Sequence, residues 1–433
     1  MSYKVKNPFI THISFFIFLL LISLGFGNFN IKIGFSIKPY MIVSFLLLLF
    51  SLRITKTPKL RPFERIMIAY FLWYSFTLIN ITYIKQSLWY IGVLVIIISV
   101  YYIIRRVIVY VSITQIDNYI KKAGIIICVA SLIYYIMGLA YFSFIPSFTQ
   151  IMKYGVMIDR YMFRLMGTIN EPNITSIYLS LFFFYYLYNH KDRLGLIGLI
   201  LTSICVLLTL SRGAYLSFAF TILIIPLFMP NKRRYLRKFL VSIFFAGVAS
   251  VILWSFLLNY GIDIFAPITD RFTSIEEDSG SGRLDLWRCA LDAFYNNPIF
   301  GIGLNGIRSY NVDHFGSQFD NYTHNSYLEV LAESGIVGFC LFILMFAFAF
   351  HDALAIAKSN RNLVFILATL ISILLQMCFI SVQHNEFIYF VLILIFRYEF
   401  KKRLNVTGSI VMHESIGRQH REKNEPKRLI CNS

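Results

Sequence analysis

Long apolar blocks separated by short polar or basic connectors fill most of this chain. Twelve of them read as spans, at roughly 9–27, 37–52, 64–81, 87–104, 123–142, 174–189, 194–210, 213–229, 238–259, 334–350, 362–380 and 385–397. The last two are interrupted by Gln376, His384, Asn385 and Glu386. In a bilayer every backbone amide must be satisfied within its own segment, so blocks of this length predict helices. Nothing shows the alternation of a membrane β-barrel. The expected fold class is an all-α polytopic membrane protein of about twelve transmembrane helices, with a bundle over 1–259, an external loop over 260–333, further helices over 334–400 and a basic tail over 401–433.

Composition strengthens this picture. Of 433 residues, 58% are hydrophobic and 14% charged, against about a quarter charged in a soluble globule. The net charge of +18 would suggest nucleic acid in a soluble protein. Here its distribution removes that reading. Of the 40 basic residues, 29 fall in alternate connectors and in the tail, so both termini are expected to be cytoplasmic. The basic surplus is an orientation signal with some attraction to anionic membrane lipids, and no nucleic-acid partner is expected. The apolar run after Lys4 and Lys6 has no clean small-residue cleavage site and reads as a first span. Six scattered cysteines form no CxxC pair and read as small apolar fillers.

The segment Ser281–Gly338 breaks the apolar pattern. A large polar loop carrying Arg283, Arg288, Arg308 and His324 gives a membrane bundle no packing advantage, so chemistry on an anion at the membrane surface is the expected reason for it. Leu284, Trp287, Leu291 and Phe294 recur at helical spacing, predicting an amphipathic helix over Arg283–Phe294 with Trp287 at headgroup level. Asn296-Asn297-Pro298 should end it, and Ser326 with Glu329 reads as a capping box opening the next helix. GIGLNG at 301–306 fits a dinucleotide fingerprint by letter only, since no strand precedes it. It reads as a tight turn whose amides could approach an anion.

Three side chains carry the candidate chemistry. Arg212, in LSRGAY, sits between two apolar blocks, where burial of a guanidinium at full depth would cost up to ~3 kcal/mol. Its bland role is snorkelling to headgroups; its functional role is to grip a phosphate bidentately. Arg283 is either an interfacial anchor, paired with Asp285, Glu276 or Glu277, or a second clamp on the same diphosphate. His324 precedes a helix start, which favours a neutral imidazole able to act as a general base. Asn325 could orient it, and Glu171 or Asn173 of the NEPN turn could contact sugar hydroxyls or position an arginine. Arg288 and Arg308 read as structural. No HExxH, paired-aspartate or cysteine-cluster motif suggests a metal, and no cofactor is expected.

LSRGAY, then RLDLW…NPIFGIGLNG, then THNSYLEVLAESGIVG, together with FRLMGTINEPN upstream, resemble the O-antigen ligase and polymerase superfamily of bacterial inner-membrane proteins. The resemblance implies a bundle related to GT-C glycosyltransferases. It implies metal-independent transfer from an undecaprenyl-diphosphate-linked glycan to a glycan acceptor; direct displacement would invert the anomeric carbon, the basic connectors place the site on the external, periplasmic face, and a chain-length regulator protein is a further expected partner. It assigns the donor diphosphate to Arg212 and Arg283, and the base or acceptor-positioning role to His324. Glu171, Asn173, Asn325 and Trp287 are expected around the substrate. A polymerase of polysaccharide repeat units (O-antigen, capsule or exopolysaccharide) is favoured over a ligase acting on lipid A-core. The competing class is a polysaccharide or lipid transporter, which predicts two related halves and polar residues at mid-bilayer; no internal repeat is visible.

Overall fold

The computed structural model describes residues 8–33, 35–55, 57–79, 84–144, 151–159, 162–229 and 282–400. The expected span at 238–259, the loop to 281 and the tail from 401 lie outside the described residues. The chain runs α1 (Pro8–Leu24), a hairpin of β1 (Ile31–Ile33) and β2 (Phe35–Ile37), then α2 (Pro39–Leu52), α3 (Pro62–Phe76), α4 (Ile84–Ile108) and α5 (Ile113–Phe144). A small antiparallel sheet follows, β3 (Met152–Lys153), β4 (Val156–Asp159) and β5 (Met162–Leu165), in that order. Next come α6 (Pro172–Asn189), α7 (Arg193–Leu208), α8 (Arg212–Phe228), α9 (Arg283–Asn296), α10 (Ile307–Phe315), α11 (Ser326–Ser359), α12 (Val364–Gln376) and α13, over 386–400.

Eleven of the twelve apolar blocks coincide with a helix. Ser87–Ile108, Ile113–Phe144 and Ser326–Ser359 are long and apolar enough to cross a membrane, and five more apolar helices are shorter. The two small sheets depart from an all-α reading; both are made of short strands in connectors, where no long apolar block marks them. Proline at the first turn starts α2, α3 and α6, where its missing N–H costs nothing.

The block over 385–397, among the least regular in sequence, is the centre of the molecule. Every residue from Phe387 to Phe396 is at most 3% exposed. A helix apolar on all sides belongs inside a bundle, and α13 is its post. Around it α3 packs on α11, and α6 and α8 pack on α12. One end of the bundle is tied by buried charges. Arg61 forks onto Asp352 at 3.0 and 2.7 Å, Arg105 pairs with Glu64, and Arg397 donates to the carbonyls of Ile108 and Val111 at 3.1 and 2.8 Å. These arginines, counted above as orientation signals, are also structural.

Two local expectations are corrected. Ser326 does not cap α11. Asn325 does, its Oδ1 accepting from Tyr327 N and Leu328 N at 3.0 and 3.2 Å, which frees Glu329 for other partners. On α9 the buried face is Leu286, Cys289, Ala290 and Ala293, packed on α11, while Leu284 remains 51% exposed. Small residues beside Leu286 let the helix approach closely, and Trp287, Leu291 and Phe294 are left half-buried. α11 kinks at Gly335 (φ 65°, ψ −170°). The GIGLNG turn nests in the kink: Ile302 N and Gly303 N donate to the carbonyls of Ala332 and Glu333 at 2.9 and 3.1 Å. The anion this turn approaches is internal: the Glu333 carboxylate accepts from the Asn305 amide and, just beyond the turn, from Ile307 N at 3.2 Å.

Candidate functional site

At the end of the bundle opposite the buried arginine pairs, a cavity of about 240 Å³ opens among the starts of α6, α8 and α9 and the end of α12. Arg212, Arg283, His324, Glu171 and Asn173 all line it. Residues separated by up to 153 positions thus meet at one site. Trp287 and Asn325 are not in the lining; both hold it from behind.

Arg212 is presented by the turn between α7 and α8. Leu210 adopts a left-handed φ of 49°, Ser211 caps α8 through Ala214 N at 3.4 Å, and Arg212 is the first helical residue. A helix N-terminus and a guanidinium at the same point both favour an anion. Arg283 occupies the same position on α9, after Gly282 at φ 66°.

His324 also lies in the left-handed region, at φ 51°. Such a conformation costs a non-glycine residue about 1–3 kcal/mol and persists only where surroundings enforce it. Three elements do so. From α9, Trp287 Nε1 donates to the Thr323 carbonyl at 3.1 Å. From the 377–383 loop, Met377 O accepts from Ser326 N at 2.8 Å, and Ile380 O from Ser326 Oγ at 2.7 Å. From α11, the buried Glu329 accepts from Thr323 Oγ1 at 3.0 Å, Ser381 Oγ at 2.5 Å and Gln383 Nε2 at 2.6 Å. Burial and the positive charge of Arg283 push the His324 pKa down to about 4. The ring is therefore neutral at physiological pH, as expected, but burial and a neighbouring arginine are the cause, not the helix start alone.

The NEPN turn positions an arginine, and that arginine is one the sequence did not single out. Arg164 on β5 is 3% exposed. It donates to Thr209 O at 3.0 Å, Asp159 Oδ2 at 2.9 Å and Asn173 Oδ1 at 3.1 Å. It thus joins the small sheet, α6 and the turn that presents Arg212, and adds a third guanidinium to the lining. Glu171 caps α6 through Ile174 N at 3.0 Å and accepts from Asn173 Nδ2. Burial pushes its carboxyl pKa up, against the opposing pull of Arg164. The signal for Arg164 was its place in FRLMGTINEPN, six residues before the turn it meets. Gln376 closes the floor, bonded to Ser176 at 2.7 Å and Ser180 at 2.9 Å.

Other candidates fall away from the cavity. Arg288 pairs with Asp285 and Arg308 with Asp320, each at 3.0 Å, and His314 stacks on Tyr310. Glu276 and Glu277 lie outside the described residues. Among the described residues no group of His, Cys, Asp and Glu is arranged to hold a metal ion.

Residues 197–343 match the family model of O-antigen ligase. Over this third of its length the chain is similar to the O-antigen ligase family. No curated protein matches the chain. The matched segment supplies Arg212, Arg283 and His324. Arg164, Glu171, Asn173 and Gln376, from outside it, complete the cavity walls. A family of this kind acts on lipid-linked glycans at a membrane, and the long apolar helices agree with a membrane protein.

Proposed function

We propose that the protein is a glycan polymerase that joins repeat units by metal-independent, inverting transfer from an undecaprenyl-diphosphate-linked donor on the periplasmic face of a twelve-span inner-membrane bundle. The observation that carries this is the convergence of Arg212, Arg283 and His324 on one cavity. Two guanidinium groups clamp the donor diphosphate and offset the charge that grows on it as the glycosidic bond breaks. Cations fixed in advance at a developing charge are often the largest catalytic contribution. His324, neutral beside them, takes the proton of the acceptor hydroxyl as its oxygen attacks the anomeric carbon. The bond from that carbon to the diphosphate oxygen breaks, and its electron pair leaves with the diphosphate. Attack from the face opposite the leaving group inverts the carbon. Glu171 and Asn173 act by holding Arg164, and Trp287 and Asn325 by holding the His324 turn, so all four are assigned to positioning. Partnership with a chain-length regulator belongs to the same proposal.

A ligase uses the same clamp and base, and the matched family's description favours that second reading. Against it, Arg288 and Arg308 on the surface of α9 and α10 are each neutralised by an aspartate, which leaves little basic surface there for a phosphorylated core acceptor. Deleting the gene and examining surface glycolipid separates the two. A polymerase knockout leaves a single repeat unit on the surface lipid. Finished polymer stranded on carrier lipid would instead establish a ligase, and complete polymer at the surface would remove both.

A further inference from the structure

A second cavity, of about 580 Å³, lies at the same end of the bundle, between the start of α2, residues 89–97 of α4 and the segment 381–386. The wall between the two cavities is one chain thick. His324 and Ile380 line the first cavity; Tyr322 and Ser381 line the second. Thr323 and Ser381 form this wall, their hydroxyl oxygens 3.3 Å apart, and Glu329 ties both. Tyr322 and His324 are two residues apart, a span of roughly 7 Å at most.

The chemistry of the second cavity is opposite to that of the first. Its polar wall comprises Glu329, Ser381, Gln383 and Asn385, and its Lys38 is already held by Glu386 at 2.7 Å. Carboxylates here disfavour a diphosphate, whereas carboxylate, amide and hydroxyl groups together suit sugar hydroxyls. Ser381, Asn385 and Glu386 are the partly exposed polar groups of this wall, while Glu329 and Gln383 lie buried behind them, bonded to each other at 2.6 Å. Trp89, 65% exposed, and Tyr90 and Tyr322 add flat aromatic surfaces of the amphipathic kind that meet both apolar and polar groups. Met41, Val93, Ile96 and Ile97 make an apolar outer wall. On its polar side, Tyr322 also lines a third hollow of about 510 Å³ with Asn305, Arg308, Ser309 and Asp320, which gives a longer glycan somewhere to continue.

We infer that this second cavity binds the acceptor, as a neutral, hydroxyl-rich saccharide on an apolar anchor, and holds it beside the Thr323–Ser381 contact that adjoins His324. The inference rests on the glycosyl-transfer reading above and assigns that reaction's second substrate. The transfer balances as before: the acceptor oxygen bonds to the anomeric carbon, the electron pair leaves with the diphosphate and the proton goes to His324.

Photolabelling tests this without requiring turnover. Full-length protein in lipid nanodiscs is irradiated with a diazirine-bearing dodecyl maltoside, and the labelled peptides are mapped. Label is expected on 89–97 and 381–386, displaced by dodecyl maltoside but not by lysophosphatidylcholine at equal concentration. Trp89→Ala, at an exposed position that carries no core packing, and Val93→Trp, which fills the cavity, should each cut labelling about tenfold, the scale of one lost aromatic or packing contact. His324→Ala should keep the label while losing transfer. Label elsewhere, equal displacement by the sugar-free lipid, or unchanged labelling in both cavity variants would overturn the assignment. Expected labelling together with full transfer by His324→Ala would defeat the catalytic reading but leave the saccharide site standing.

Discussion

At His324 a strained backbone, a neighbouring guanidinium and a buried carboxylate act on one imidazole. Burial and Arg283 hold its pKa near 4, below the ordinary 6.5. The neutral, proton-accepting form is therefore present at neutral pH and is lost as pH falls through about 4 in the donor-free protein. Arg283→Gln removes one of the two causes, so the His324 pKa should rise toward 6.5, read by NMR titration of histidine-labelled protein. An unchanged value would mean that the two side chains do not share a field. Glu329 is the positioning residue behind them. Glu329→Gln can keep one oxygen on Thr323 and Ser381 while Gln383 flips its amide to offer the unsatisfied Oε1, so it should retain most activity. Glu329→Ala leaves the turn unsupported and should lower kcat about 100-fold, the cost of misplacing a catalytic group by an ångström or so, with the donor KM little changed. Equal kinetics for the two variants would show that the carboxylate does not position the turn.

Among the elements, α11 carries the most structural constraint, because its kink receives the GIGLNG turn. A Cβ on Gly335 would lie 2.1 Å from the Ile299 carbonyl oxygen, at a φ of 65° that side chains resist. Gly335→Ala should therefore destabilise by more than the ~1 kcal/mol of the backbone term alone, seen as a lower Tm in detergent; an unchanged Tm would mean the kink relaxes freely. Much at this scale was legible in sequence. Eleven apolar blocks became helices, and the loop helix from Arg283 formed because its apolar spacing and its Asn-Asn-Pro stop are local signals. What was not legible depended on neighbours. Ser326 and Asn325 are both good caps in isolation, and only the pull of Ile380 and Met377 on Ser326 decides between them. The inward face of α9 is chosen by the need for small residues against α11, which no hydrophobic count contains. Arg164 went unread because its partners Asp159, Asn173 and Thr209 come from three elements.

In the molecule as a whole, charge is sorted to the two ends of an apolar bundle. One end is locked by Arg61–Asp352 and Arg105–Glu64, pairs for which loss of one partner costs about 3–5 kcal/mol. The other end holds a cationic cavity and, across one strand of chain, a larger cavity with a carboxylate wall. That sorting separates a task of stability from a task of chemistry. It gives the anionic donor and the neutral acceptor different places to bind, with His324 at their boundary. The most direct measurement is elongation by purified protein supplied with lipid-diphosphate-linked glycan, in EDTA, resolved on a gel. The account predicts a ladder for the native protein that disappears in Arg212→Ala, Arg283→Ala and His324→Ala, each still folded in the membrane. A native-length ladder from all three variants, or a native ladder abolished by EDTA and restored by a divalent ion, would contradict it.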